Sequence, residues 1–307
     1  MKLESVQRVY ERLGRDDPMW AVLTDDRFRN NKWDADAFFE TGREEVAAVM
    51  QALERDGVTV ARGAALDFGS GVGRLSQALC GHFSDVTGVD ISSTMVEAAN
   101  RYNRHGSRCR YVVNTDNRLA PIADSSLDFI YSSITLQHVP PGFQLDYIRD
   151  FFRVLRPGGV AVFQIRAANM EGGALLQALR EFNAGVLRPL WKRLRGRPPV
   201  QVHTLAPSAI EAVLREVGAE VRSVVDADAR ARRSRRSLVY TVVASGGRLT
   251  RAAALRSATG QPRTATSRPL RRCSVSASHW PDGAQWRRTA VARTAAPAVF
   301  PHLRLDQ

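Results

Sequence analysis

Cysteine is scarce in this chain, and long apolar runs are missing from it. The three cysteines, Cys80, Cys109 and Cys273, have neither the number nor the spacing of a disulfide scaffold or a CxxC metal site. The apolar runs fall short of the roughly 20 residues that a membrane-spanning helix needs. The N-terminus, MKLESVQRVYERLG, is polar and alternates charges, unlike a secretory signal. We therefore expect a cytoplasmic protein without a membrane span.

Lysine and glutamate are absent from residues 246–307, which contain eleven arginines and two aspartates. The segment RARRSRR at 230–236 adds five more arginines, so these two segments carry +14 and the rest of the chain carries −1, for a net charge of +13. Residues 246–307 also have few large apolar side chains, and we expect them to form a disordered Arg-rich tail. Such a tail can bind nucleic acid, but it has few aromatics and no fold signal, so we do not expect nucleic acid as a partner.

Short apolar runs alternate with amphipathic stretches between residues 61 and 245. This alternation predicts an α/β fold with a doubly wound, mostly parallel sheet, and the continuous apolar runs indicate strands covered on both faces. Residues 1–60 show helical spacing instead and predict an N-terminal helical cap. The strand candidates are AALDF (64–68), DVTGVD (85–90), CRYVV (109–113), LDFIYS (127–132), VAVFQI (160–165), AEVRSVVDA and SLVYTVVAS (237–245).

Residues 167–205 interrupt this alternation. They contain apolar positions at helical spacing in GALLQALREFNAGVLRPLWKRLRG, with Pro189 predicted to kink or split the helix. A basic amphipathic helix can lie on an anionic membrane surface, so peripheral membrane contact stays open. The place of the segment after the fifth strand favours the other interpretation, an insertion that caps the substrate pocket.

The segment LDFGSGVGRL (66–75) follows the first strand candidate and opens a helix. Gly69, Gly71 and Gly73 allow a sharp backbone turn and a close approach by a ligand, while the helix N-terminus offers unpaired N–H groups. Such a turn can hold a nucleotide, or it can be a tight turn without a ligand.

Two aspartates narrow the choice of ligand. Asp67 lies two residues before Gly69, where a carboxylate would repel a pyrophosphate and suit an ammonium group. Asp90 ends the second strand candidate 21 residues after Gly69, a distance at which an acid can bind ribose hydroxyls or simply cap the next helix. A ligand with a ribose, a cationic amino-acid part and no phosphate fits S-adenosylmethionine. The GxGxG spacing differs from the GxGxxG of a nicotinamide-dependent Rossmann oxidoreductase, which is the alternative.

The chain resembles a class I S-adenosylmethionine-dependent methyltransferase from about residue 35 to 245. Four motifs in order carry the resemblance: LDFGSGVGRL, VDIS, TDNRLAPIADSSLDFIYS and VLRPGGVAVFQI. The resemblance implies a Rossmann-like methyltransferase fold with strand order 3-2-1-4-5-7-6, the last strand antiparallel, and S-adenosyl-L-methionine as cofactor.

The same resemblance implies roles for individual residues. Asp67 would lie near the methionine amino group, Asp90 would bind the ribose, and Asp116 would accept from the adenine amino group unless it is only a turn residue. The residues expected to contact the cofactor are Asp67, Gly69, Ser70, Gly71, Gly73, Arg74, Asp90, Ile91, Asp116, Asn117 and Ser133.

The segment ITLQHVPP (134–141) follows the fourth strand, where the family's substrate faces the methyl group. His138 is its titratable side chain, and a free histidine pKa of about 6.5 suits a general base, although the residue can also be a pocket wall. The fourth strand lacks the (Asp/Asn)-Pro-Pro-aromatic motif of base methylation, and no residue set has metal-ligand spacing. We expect O-methylation of a small-molecule, sugar or lipid-linked acceptor; a non-catalytic cofactor-binding or nucleic-acid-binding protein is the second alternative.

Overall fold

A computed structural model describes residues 3–167, 200–227 and 236–245. Within these ranges seven strands form one sheet in the order β3-β2-β1-β4-β5-β7-β6. Neighbouring strands are parallel from β3 to β5, whereas β7 is antiparallel to both β5 and β6. The predicted strand order and the reversed last strand are therefore confirmed. The strands are β1 (Ala64–Phe68), β2 (Asp85–Asp90), β3 (Cys109–Val113), β4 (Leu127–Ser132), β5 (Leu155–Ala167), β6 (Glu220–Asp226) and β7 (Arg236–Val243).

Helices cover both faces of the sheet, which explains the continuous apolar runs of its central strands. All six residues of β4, which pairs with β1 and β5, are buried. The helices are α1 (Leu3–Asp16), α2 (Pro18–Val22), α3 (Ala35–Arg55), α4 (Arg74–Leu79), α5 (Ser93–Tyr102), α6 (Pro141–Val154) and α7 (Pro207–Glu216).

Two apolar clusters fill the space between the sheet and these helices. On one face, Ile130 of β4 packs in a cluster with Phe151 of α6 and Leu214 of α7. On the other face, Phe129 of β4 packs in a cluster with residues of α3 and α4, including Leu79. Burial of these large side chains is the main source of stability for a sheet of this kind.

The described part of the first 60 residues contains the helices α1, α2 and α3, as the helical spacing predicts. The side chain of Asp34 accepts the Ala37 N–H at 2.9 Å and caps the N-terminus of α3. A third apolar cluster joins α1, α2, α3 and α5 through residues such as Leu13, Phe38 and Met95. The division of the chain at residues 60 and 245 stays a prediction.

Several predicted features lie outside the described residues. They are most of the 167–205 insertion with Pro189, most of RARRSRR, and the Arg-rich 246–307 tail. Across residues 3–167, 200–227 and 236–245, every helix is too short or too polar to cross a membrane.

Candidate active site

A cavity opens at the edge of the sheet where β1, β2, β3 and β4 end. Parallel strands bring their carboxyl ends to one edge, and ligands of doubly wound folds bind there. The sheet side of the cavity is lined by Phe68, Gly69, Gly71, Val89, Asp90, Ile91, Asn114, Ser133, Ile134 and Thr135. The remaining lining comes from the helices α1, α2, α5 and α6 and from the segment after β4: Leu3, Val6, Tyr10, Ala21, Val22, Met95, His138, Val139 and Tyr147.

The glycine-rich turn between β1 and α4 has a backbone that favours glycine at three positions. Gly69, Gly71 and Gly73 have φ values of 81°, 52° and 84°. A Cβ atom at Gly69 would lie 2.1 Å from the Thr135 hydroxyl oxygen, and one at Gly73 would lie 2.2 Å from the Tyr111 hydroxyl oxygen. The turn is thus both left-handed and closely packed, so side chains larger than hydrogen do not fit.

Asp67 is buried beneath this turn, with 1% of its surface exposed. The Ser76 hydroxyl donates to its Oδ2 at 2.6 Å, while Oδ1 has no hydrogen-bond partner among the described residues. Burial raises the pKa of Asp67 to about 7, although the Ser76 hydrogen bond and the charge of Arg74 lower it. A buried carboxylate oxygen without a donor fits an ammonium group, which is the role that the sequence predicts for Asp67.

Asp90 lies at the end of β2 and lines the cavity. Its two carboxylate oxygens accept the N–H groups of Gly71 at 2.8 Å and Ser92 at 2.9 Å. Burial raises the pKa of Asp90, and the hydrogen bonds from Ser92 and Gly71 oppose that shift. Asp90 therefore ties β2 to the glycine turn and also faces the cavity, beside Ile91.

Arg74, a predicted cofactor contact, is not among the residues that line the cavity. Its side chain is 2% exposed and pairs with Glu45 of α3 at 2.6 Å. Glu45 also accepts from the Tyr131 hydroxyl at 2.8 Å. Burial opposes ionisation of Glu45, but the charge and hydrogen bond of Arg74 outweigh it and lower the pKa. The structure thus gives Arg74 a structural partner, and its contact with a cofactor stays a prediction.

Asp116 and Asn117 also lie away from the described lining of the cavity. The exposed Asp116 carboxylate accepts the Asn117 N–H at 2.7 Å, as in a turn. Asn114 and Tyr147 line the cavity in this region, and the hydroxyl of Tyr147 donates to the Asp116 carbonyl. Asn114 directly follows β3, so its position at a strand end was a signal that sequence reasoning did not use.

Ser133 lines the cavity, whereas Ser70 is buried and is not among the lining residues, so its contact with a cofactor stays a prediction. The predicted base, His138, also lines the cavity. Its Nδ1 lies 2.9 Å from the Gln201 carbonyl oxygen, and its Nε2 lies 3.2 Å from Nε2 of Gln137. Both ring nitrogens of the histidine are therefore oriented by neighbouring groups.

The N-terminal helices α1 and α2 also line the cavity, and the predicted helical cap did not indicate which of their residues would do so. The Tyr10 ring of α1 packs edge-on against the His138 ring, with centroids 5.9 Å apart. Val22 of α2 lies over the glycine turn, because a Cβ at Gly71 would come within 2.5 Å of its Cγ2. Neither helix carries a recognisable motif, so its place over the cavity depends on tertiary packing alone.

Comparisons with known proteins agree with this geometry. The methyltransferase domain family matches residues 66–163. The chain is 30% identical over 104 residues to malonyl-[acyl-carrier protein] O-methyltransferase of Enterobacter lignolyticus (strain SCF1), a match that covers 34% of this chain and 39% of the relative. The chain therefore spans well under two thirds of that relative's length.

Two solved structures share the fold at low sequence identity. Magnesium protoporphyrin IX methyltransferase from Synechocystis PCC 6803 with bound SAH has a TM-score of 0.52 and 18% identity, over 79% of this chain and 99% of that protein. Geranyl diphosphate methyltransferase in complex with GPP and sinefungin has a TM-score of 0.52 and 17% identity. The match covers 78% of this chain and 98% of that protein.

The strand order, the glycine turn and the family match together define a class I methyltransferase fold. The matched part of the chain, residues 66–163, is a methyltransferase domain of this class, with S-adenosyl-L-methionine as its cofactor. The family match favours this assignment over the alternative of a nicotinamide-dependent oxidoreductase.

Proposed function

We propose that this protein methylates an oxygen atom of a small-molecule, sugar or lipid-linked acceptor, with His138 as the general base. The observation that carries the proposal is the direction of the hydrogen bonds around His138. They hold the imidazole in the tautomer whose Nε2 carries the lone pair. That lone pair accepts from the Gln137 amide, and an acceptor hydroxyl would replace this donor before it loses its proton.

Two groups have only one possible hydrogen-bonding role, and they fix the direction of the hydrogen bonds to His138. Arginine has only donors, so the Arg166 Nε, 3.0 Å from Gln137 Oε1, donates to that oxygen. The Gln137 amide therefore turns its NH₂ toward His138 Nε2, which acts as acceptor. At the other end, the Gln201 carbonyl is an acceptor, so Nδ1 of His138 carries the hydrogen. A base whose second nitrogen is fixed by a hydrogen bond is the arrangement that general-base catalysis needs.

The residues at the ends of β1 and β2 would hold the cofactor. The buried Asp67 oxygen fits an ammonium group, Asp90 fits ribose hydroxyls, and Ile91 fits the apolar face of an adenine. When bound, S-adenosylmethionine supplies a methyl group that is activated by its positively charged sulfur. His138 would take the proton that an acceptor hydroxyl loses as its oxygen gains the methyl group.

The wall around His138 supports an acceptor with an apolar part. Leu3 and Val6 of α1 and Val139 after the histidine line the cavity on this side. Apolar side chains of this kind favour an apolar ligand body over a fully hydroxylated one. The relative from Enterobacter lignolyticus is named as an O-methyltransferase, which supports oxygen as the acceptor atom.

The variant His138→Ala tests this proposal. Methyl transfer from labelled S-adenosylmethionine into hydroxyl acceptors, first sought in a cell extract, should fall about 10²–10⁴-fold. The affinity for S-adenosylhomocysteine should stay nearly unchanged, and the wild-type rate should fall as the pH drops through the histidine pKa. The control is His82→Ala, because His82 lies just before β2, at the opposite ends of the strands.

A His138→Ala protein that keeps most of its turnover would leave His138 as a pocket wall. Transfer to nitrogen or carbon acceptors, with none to oxygen, would contradict the acceptor part of the proposal while leaving methyl transfer intact.

A further inference from the structure

Ile134, two residues after β4, has a left-handed backbone with φ of 62°. Four non-glycine residues in the described ranges have positive φ, and Ile134 is the β-branched member of that set; the others are Asn30, Asn31 and Ser125. A β-branched side chain is strained in this region, because its Cβ substituents crowd the following carbonyl. Strained backbone persists where surrounding contacts hold it, and it concentrates at functional sites.

A buried glutamine on the neighbouring strand holds this backbone. Gln164 of β5 is 6% exposed, and its Oε1 accepts the Ile134 N–H at 3.0 Å. Its Nε2 donates to the Ser237 hydroxyl of β7 at 2.5 Å, and Ser237 is 2% exposed. Both ends of the amide are therefore bonded, which fixes its orientation. The hydrogen bonds connect the segment after β4 to two strands of the sheet.

The segment that this arrangement fixes forms one wall of the site. Ser133, Ile134 and Thr135 all line the cavity. The Thr135 side chain packs against the backbone of Gly69, in the space that a Cβ there would occupy. The 3-10 turn Leu136–His138 follows at once and carries the proposed base. A relaxed backbone at Ile134 would redirect the chain into this turn and move the wall.

We propose that Gln164 is a positioning residue, which holds Ile134 in its left-handed conformation and thereby places Thr135 and His138 at the cavity. Gln164 itself does not line the described cavity, so it acts through the backbone of Ile134. This inference rests on the proposed function and adds a residue to its machinery.

Glycine supplies a sharp test, because it adopts positive φ without strain. If Gln164 serves to hold the strained backbone, Ile134→Gly makes it dispensable. The variants Gln164→Met, Ile134→Gly and the double variant form a cycle that isolates the coupling between the two residues. The readouts are the affinity for S-adenosylhomocysteine by calorimetry and the melting temperature without ligand.

We expect Gln164→Met to weaken S-adenosylhomocysteine binding about 5–30-fold in the wild-type background, the factor that corresponds to this degree of backbone strain. In the Ile134→Gly background the same change should weaken binding less than about 3-fold. The melting temperature should follow the same pattern, falling by several degrees in the first case and by less in the second.

The matched control is Gln77→Met, because Gln77 is also buried and uses both ends of its amide. Its Nε2 donates to the Tyr102 carbonyl at 3.0 Å and its Oε1 accepts the Arg104 N–H at 3.1 Å. Gln77→Met should lower the melting temperature without weakening S-adenosylhomocysteine binding, and Ile134→Gly should not rescue it.

Equal effects of Gln164→Met in both backgrounds would overturn the inference, since Gln164 would then be an ordinary buried hydrogen-bonding residue. If Gln164→Met alone does not fold, a folded double variant supports the inference and an unfolded one overturns it. A wild-type protein that does not bind S-adenosylhomocysteine would contradict the proposed function itself, which keeps the two failures distinct.

Discussion

The carboxylate of Glu11 on α1 accepts the backbone N–H of Ser93, the first residue of α5, at 2.7 Å. Its second oxygen accepts the Thr94 N–H at 3.2 Å, and the Thr94 hydroxyl donates to the Glu11 carbonyl at 2.9 Å. One helix therefore caps the N-terminus of another, where the helix dipole favours an anion. This contact holds α1 over the cavity.

Replacing Glu11 by alanine should loosen this wall. We expect Glu11→Ala to cost about 1 kcal/mol of unfolding free energy, as the loss of an N-cap does, and to weaken S-adenosylhomocysteine binding several-fold. Thermal unfolding and calorimetry measure the two effects. Arg12→Ala is the control, because its ion pair with Asp16 is exposed and contributes little. An effect on stability without one on binding would mean that α1 is not needed as a wall.

Glu11 also predicts a dependence on pH. Burial opposes its ionisation, but the hydrogen bonds from Ser93 and Thr94 outweigh it and lower the pKa. The folded state therefore binds its proton less readily than the unfolded state does, and this stabilisation is lost as the pH falls through the lowered pKa. The difference in melting temperature between wild type and Glu11→Ala should shrink in acid and be largest near neutral pH.

Asp90 should contribute to cofactor affinity. Asp90→Ala removes a charged acceptor from the cavity and from the Gly71 N–H, and S-adenosylhomocysteine binding should weaken roughly 10–150-fold. Asp90→Asn keeps one acceptor oxygen, so its affinity for S-adenosylhomocysteine should lie between those of wild type and Asp90→Ala. Asp85→Ala is the control at the other end of β2, where the side chain pairs with Arg110 at the surface. Equal affinities for Asp90→Ala and wild type would contradict the ribose assignment.

Asp67 should couple cofactor binding to proton release. Because burial raises its pKa to about 7, the folded state binds this proton more tightly than the unfolded state, and the free energy of unfolding falls as the pH rises from about 4 toward 7. A cationic amino group beside Asp67 favours the ionised carboxylate instead. S-adenosylmethionine binding should therefore release a proton near pH 6 and tighten as the pH rises toward 7.5.

Calorimetry in buffers of different ionisation enthalpy measures this proton. The variant Asp67→Asn should bind with no such release, while the overall fold is kept. Wild-type binding that is independent of pH across this window would mean that Asp67 stays protonated in the complex, or that no ammonium group lies beside it.

Alanine substitutions at two left-handed glycines distinguish the effect of backbone strain from the effect of a steric clash. Gly57 and Gly69 have φ values of 67° and 81°, but a Cβ at Gly57 meets nothing within 4 Å, whereas one at Gly69 meets Thr135. Gly57→Ala should cost about 1 kcal/mol of stability and leave S-adenosylhomocysteine binding unchanged. Gly69→Ala should lower the free energy of unfolding by more than Gly57→Ala does, and it should abolish measurable S-adenosylhomocysteine binding. Comparable binding in both variants would show that the turn tolerates a side chain.

The central strands could be predicted almost residue for residue. The apolar runs at 64–68, 85–90, 109–113 and 127–132 coincide with β1 to β4. Burial on both faces explains the match for β1, β2 and β4, whereas β3 is a partly exposed edge strand. The fifth run, 160–165, underestimates β5, which spans Leu155–Ala167. Its extra length comes from pairing with β4 and β7, and no local composition records that pairing.

Part of the site could be predicted from residues in the recognised motifs that lie at the end of a strand or in the segment after it. Gly69, Asp90, Ser133 and His138 all line the cavity because the topology brings strand ends together. Tyr10 came from none of the motifs, since its place depends on how α1 packs across the sheet edge. The strain at Ile134 was equally hidden, because a left-handed isoleucine goes against its own intrinsic preference.

The buried pair of Arg74 and Glu45 has a consequence for anyone who shortens this chain. Arg74 opens the helix after the glycine turn, while its carboxylate partner comes from α3, before the first strand. A fragment that begins at residue 61 would keep the guanidinium and lose the acid, and an unmatched charge in a protein interior costs about 3–5 kcal/mol. Expression of a minimal catalytic fragment therefore requires α3, or a neutral residue in place of Arg74.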